Sequence, residues 1–175
     1  MDNYEEKNVI GKWIKRTLIF LILLFGMYVL FCYVYKTLRY KPFKEAETRF
    51  YDEKKSGEYD GFTVNASPSD EMLSFGGNLA VCQTRYFDVD NMQNGEAIPY
   101  NDTVDLLIYP ELFGGYITIA MIEPASGNGA SIKLDEKMRL LSSEYADFYK
   151  KYYDLIKKDY LIANKVFGIY DLSGI

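Results

Sequence analysis

The stretch TVDLLIYPELFGGYITIAMIE, from Thr103 to Glu123, decides how this chain folds. Thr103–Tyr109 and Tyr116–Glu123 are rich in β-branched and aromatic residues, and Gly114-Gly115 supplies a tight turn, so the two runs read as one hairpin. A link this short imposes antiparallel pairing, because a parallel crossover needs about a dozen residues or more. Working outward, Gly61–Ala66, Leu79–Val89 and Ala130–Leu134 have the same composition, with turn chemistry at Asn94-Gly95 and Ser126–Gly129. An antiparallel sheet of about four to five strands follows. Beyond it Ser143 caps a helix that has Glu144 in its first turn. Tyr145, Phe148, Tyr149, Tyr152, Ile156, Ala163 and Val166 recur at three- and four-residue steps, the stripe of a helix laid on a sheet, and Gly168 ends it. The fold class is α+β.

Upstream, Thr17–Tyr35 reads TLIFLILLFGMYVLFCYVY, 19 residues without a charge between Lys15-Arg16 and Lys36. As a helix it measures about 28 Å, close to the roughly 30 Å of a bilayer's hydrocarbon core. Trp13, Tyr33 and Tyr35 lie near its ends, where aromatic rings favour the interface. No small residues follow at a cleavage site, and the first alanine is Ala46, so the segment reads as an uncleaved signal anchor. Lys7, Lys12, Lys15 and Arg16 before it nearly balance Lys36, Arg39, Lys41, Lys44 and Arg49 after it. An anchor at the N-terminus preceded by basic residues, followed by a long domain that crosses regardless of its charge, places the N-terminus in the cytoplasm. The expected organisation is a cytoplasmic tail (1–16), a transmembrane anchor (17–35), a juxtamembrane helical stalk (36–57) and an extracytoplasmic α+β domain (58–175). Within the stalk, KEAETRFYDEKK (44–55) forms a short polar helix past Pro42.

Composition narrows the chemistry. The 175 residues include no histidine, which removes Ser-His and Cys-His catalysis and any imidazole base. With two cysteines, Cys32 in the anchor and Cys82 in LAVCQTRYF, a zinc site would need mostly carboxylates. Cys82 suits a small core side chain on a strand. The net charge is −5, and residues 56–132 hold eleven acidic side chains against Arg85 alone. That block argues against nucleic acid and suits a basic protein partner. The basic juxtamembrane stretch suits anionic headgroups.

The stretch from Asp88 to Glu96 departs from a calcium loop in both registers: Met92 and Gln93 stand at positions five and six of one, Met92 and Asn101 at three and twelve of the other. No carboxylate pair is singled out for acid/base work, and Gly127-Asn-Gly129 lacks the third glycine of a phosphate cradle. No enzyme, cofactor, metal or small-molecule substrate is therefore expected. Partner binding is expected instead from the acidic strand-and-loop surface, Asp88, Asp90, Glu96, Asp102, Asp105 and Glu111, with the rings of Tyr109, Phe113 and Tyr116, because aromatic contact area concentrates binding energy.

The run IPYNDTVDLLIYPELFGGY (98–116), the following strand ending in Glu-Pro, and LDEKM (134–138) resemble the TipC family of membrane-anchored immunity proteins from Gram-positive bacteria. The resemblance implies a protein that binds a toxin exported by the type VII pathway and directed at a cell-wall precursor, and blocks it outside the membrane. It carries over no individual binding residue. The expected function is thus occlusion of a secreted protein toxin by a domain held at the membrane through Thr17–Tyr35. The alternative is a non-catalytic structural or adaptor subunit of a cell-envelope machine.

Overall fold

The computed structural model describes residues 2–54, 61–83, 87–93, 96–99 and 101–172, with backbone alone for 2–9, 53–54, 87–93 and 96–99. The chain opens with one unbroken helix, α1 (Asp2–Lys54), about 80 Å long. It contains the one described helix long and apolar enough to cross a membrane. Two strands follow, β1 (Phe62–Pro68) and β2 (Gly77–Gln83), then a separate hairpin of β3 (Phe87–Gln93) and β4 (Glu96–Pro99). Next come β5 (Thr103–Pro110), β6 (Tyr116–Glu123) and β7 (Ala130–Leu134). The chain ends with a single 3₁₀ turn (Ser143–Tyr145), α2 (Ala146–Lys151) and α3 (Tyr153–Phe167).

The α+β expectation holds. Five strands form an antiparallel sheet in the order β1-β2-β5-β6-β7. Alternation along each strand aligns side chains into rows that cross the whole sheet. Val64, Val81, Leu106, Ala120 and Ile132 form one row; Ala66, Leu79, Ile108, Thr118 and Leu134 form the next, and all ten are buried. Thr118 is the one polar member, and its hydroxyl is satisfied by the hydroxyl of Tyr170. Ile156, Tyr160, Ala163 and Val166 of α3 pack against these rows.

Three expectations change. The run Leu79–Val89 is not one strand: β2 ends at Gln83 and a new strand starts at Phe87 in the separate hairpin. The cap before the C-terminal helical region is Ser142, not Ser143; its hydroxyl accepts the N–H of Glu144. The single helix expected there breaks at Tyr152, whose ring is buried and stacks on Phe148 at 6.0 Å, while Gly168 ends α3 in the left-handed conformation. The hairpin turn at Asn94-Gly95 lies outside the described residues.

The segment read as a stalk is helical through Lys54, and part of it is also core. Tyr40, Phe43, Ala46 and Phe50 of α1 are buried with the sheet and α3, and Phe43 meets Phe167 edge-to-face at 6.0 Å. The helix runs through Pro42 without a break. A proline inside a helix costs about 3 kcal/mol or more, and burial of four side chains on its two sides offsets that cost. Gly77, at φ +144°, permits the close approach: a Cβ there would lie 2.5 Å from the Tyr40 hydroxyl and 2.6 Å from the Ser67 carbonyl oxygen. Tyr51 donates to the carbonyl of Val64 at 2.7 Å, and Glu47 accepts the N–H of Ala66 at 3.2 Å, so α1 also binds the edge strand β1. Phe43→Ala in the full chain should therefore lower unfolding stability in detergent by roughly 3–5 kcal/mol, the loss of a core aromatic and not of a linker residue; urea titration followed by circular dichroism checks this.

Candidate functional site

The helices lie on one face of the sheet, and that asymmetry defines the site. On β5 and β6, Val104, Leu106, Ile108, Thr118, Ala120 and Ile122 point into the helical layer. The residues between them face the other way, and the register sets Leu107 opposite Ile119, Tyr109 opposite Ile117 and Asp105 opposite Met121. An antiparallel sheet with one free face normally shows polar residues there. β1 does so with exposed Thr63 and Asn65, but the central strands present Leu107, Ile117, Ile119 and Met121, half-buried or exposed. None of these four was among the residues expected from sequence. Their signal was present: YITIAMIE is apolar at nearly every position, the pattern of a strand meant to be covered on both faces.

Of the nine expected partner-binding residues, the six whose side chains are described occupy different parts of the domain. Asp88 and Asp90 lie on β3 and Glu96 on β4, with side chains outside the described residues. Asp102 is exposed just before β5 and accepts the N–H of Ala125 at 2.9 Å, tying that turn to the β6–β7 connection. Asp105 is buried and accepts the N–H of Gln83 at 3.1 Å where β2 leaves the sheet. Tyr109 is half-buried on the free face. Glu111 and Phe113 occupy the β5–β6 turn at the opposite end of the strand, where Phe113 is 98% exposed. Tyr116 faces the helical layer, with the Arg39 guanidinium 5.2 Å from its ring centroid and Phe43 at 6.4 Å. Burial pushes the Tyr116 phenol above its usual pKa, opposed by Arg39. Asp102 and Asp105 thus hold backbone N–H groups, so reversing either charge disturbs the fold as well as any partner.

One buried carboxylate stands apart. Asp159 of α3 is fully enclosed; its Oδ1 accepts the Gln83 side-chain amide at 3.1 Å, and its Oδ2 has no hydrogen-bond partner among the described residues. Burial pushes its pKa up to about 8, with the Gln83 amide lowering it, the neighbouring Asp105 raising it and Lys158 lowering it. A carboxylic acid with a raised pKa beside another carboxylate has the form of an acid/base pair. Enclosure denies it a substrate, so the pair belongs to the core.

Among the described residues no cluster of three or more His, Cys, Asp or Glu is placed to hold a metal ion. Compared with protein families, with curated proteins and with solved structures, the chain matches none.

Because the folded pKa of Asp159 lies above its unfolded value, folding takes up a proton there, and the stability cost grows as pH rises from about 4 to about 8. Asp159→Asn should be more stable than the parent at pH 8 by at least about 2 kcal/mol, the gain shrinking towards zero at pH 4. Urea unfolding at both pH values checks the sign; equal gain at both would refute it.

Proposed function

We propose that this protein is a membrane-anchored immunity protein: its domain, held outside the membrane by α1, binds a secreted antibacterial toxin directed at a cell-wall precursor and covers the toxin's active cleft. The reading rests on the resemblance at residues 98–138, and the observation that carries it in the fold is the sheet face turned away from the helices, with half-buried Leu107, Ile119 and Met121 and exposed Ile117. A contiguous apolar patch on a free face favours a protein partner. Occlusion needs such a surface and no chemistry of the blocker's own.

The acidic excess of residues 56–132 adds long-range attraction for a basic partner, which speeds encounter and disfavours wrong partners. The anchor adds local concentration: a blocker confined to the membrane meets a toxin that acts there at an effective concentration set by the tether. Binding at the sheet face, steering by acidic groups and confinement by α1 then act together.

Ile119, at the centre of the patch and opposite Leu107, is the decisive position. Ile119→Glu should weaken toxin binding by roughly 30-fold or more, the scale of a binding hot spot, and leave unfolding nearly unchanged because the side chain is not in the core. Calorimetric titration of the full chain in detergent with a candidate secreted toxin, and survival of cells exposed to that toxin, provide the readouts. Undiminished binding by the variant would remove the sheet face from the account. Self-assembly of the parent without any toxin would favour an envelope-machine subunit.

A further inference from the structure

The end of α1 nearest the domain is not bare. Phe75, in the β1–β2 loop, packs edge-on against three residues of the apolar run: Tyr28 at 5.8 Å, Phe31 at 5.4 Å and Tyr35 at 5.3 Å. Tyr28 donates to the carbonyl of Leu73 at 2.8 Å. The Tyr35 hydroxyl reaches the carbonyl of Glu111, in the β5–β6 turn, at 3.5 Å. Cys32 is fully buried although its neighbours Phe31 and Tyr33 are 56% and 69% exposed. Two loops of the domain therefore lie beside residues 28–35 of the span itself.

This contact conflicts with a domain standing clear of the bilayer. Between Thr17 and Met27, below the first loop contact, only 11 residues remain, about 16 Å of helix. That is roughly half of a 30 Å hydrocarbon core. Sliding the helix to make up the difference would draw Arg16, Lys15 and Lys12 into lipid at a heavy cost per charge. If α1 spans, the loops share the membrane with it.

The loops are built for that. Met72 and Leu73 in the first, and Leu112 and Phe113 in the second, are exposed, Phe113 almost completely. Several backbone N–H groups of the two loops are paired within the protein, as a dry environment favours. The N–H of Ser69 meets the carbonyl of Gly76 at 2.7 Å, and the N–H of Glu111 meets that of Gly115 at 3.1 Å. The hydroxyls of Ser69 and Ser74 accept the N–H groups of Glu71 and Gly76. Lys36 donates to the carbonyls of Ser69 and Glu71. Farther along α1, Lys36, Lys41 and Lys44 line a cleft of about 410 Å³ with Tyr33 and Tyr40, at the level where lipid phosphates would lie.

We propose that the β1–β2 and β5–β6 loops insert Met72, Leu73, Leu112 and Phe113 into the interfacial lipid of the leaflet from which α1 emerges. Two insertion points and a span fix the domain's tilt and rotation, as a single flexible tether does not. The sheet's free face is then presented at one set angle to the membrane surface.

The inference rests on α1 crossing a bilayer, and the experiment separates the two. Full-length protein lacking its native tryptophan (Trp13→Phe) is reconstituted in phosphatidylcholine vesicles carrying lipids brominated near the headgroup end of the chains or near their methyl ends. Single tryptophans report from Met72→Trp, Phe113→Trp, Leu23→Trp within the span, and Ser126→Trp at the far end of the sheet. Strong quenching of positions 72 and 113 by shallow bromine, of position 23 by deep bromine, and none at 126 is the expected result. Quenching at 23 with water-like, unquenched emission at 72 and 113 overturns the proposal. Absence of quenching at 23 as well overturns the spanning helix and the proposal with it.

Discussion

The structure depends on one helix with two kinds of surface, one apolar enough to cross a membrane and one packed into the domain. In α1 the residues from Thr17 to Tyr35 carry no charge on any side, as lipid demands, and from Tyr40 onward the buried apolar residues keep to one face, as a protein core demands. Because the helix continues through Pro42 without a break, its apolar part and the domain share a rigid element. Tyr40, Phe43, Ala46 and Phe50 then pass that rigidity to the sheet. Without them the buried rows of β1, β2 and β5 would lose part of their cover, and the domain would hang from a loose strand of chain.

The described helices cover the sheet from one side. The central strands β5 and β6 carry apolar residues on both faces, and α1 and α3 consume only one set. The remaining set is the apolar patch on which the proposed partner binding rests. The proposed binding surface is ordinary strand alternation that stays apolar on the second face as well.

What could be read from the sequence was what local pattern determines. The charge-free run, the turns at Gly114-Gly115 and Ser126–Gly129, and the glycine stop at 168 all depend on neighbours a few residues apart. The core role of α1 was hidden because Tyr40, Phe43, Ala46 and Phe50 stand among Lys41, Lys44, Glu45 and Glu47, which make the segment look like a solvated stalk. Pro42 strengthened that impression, and tertiary burial overrode it. The split after Gln83 was equally nonlocal, since β2 stops where its partner β5 begins near Asp105. At the candidate site, charge drew notice to Asp102 and Asp105, yet both are engaged with backbone N–H groups. The apolar residues of the free face went unnoticed because a hydrophobic strand residue is ordinarily assigned to the core.

The continuity of α1 is the claim on which the anchoring, the core and the presentation of the free face all depend. Amide hydrogen exchange of the full chain in lipid nanodiscs measures it directly. Amides from residue 36 through residue 50 should exchange as slowly as those of β5 and β6, opening only with the domain as a whole. Rapid exchange confined to the stretch around Pro42, with the sheet still protected, would show a hinged linker and contradict the account.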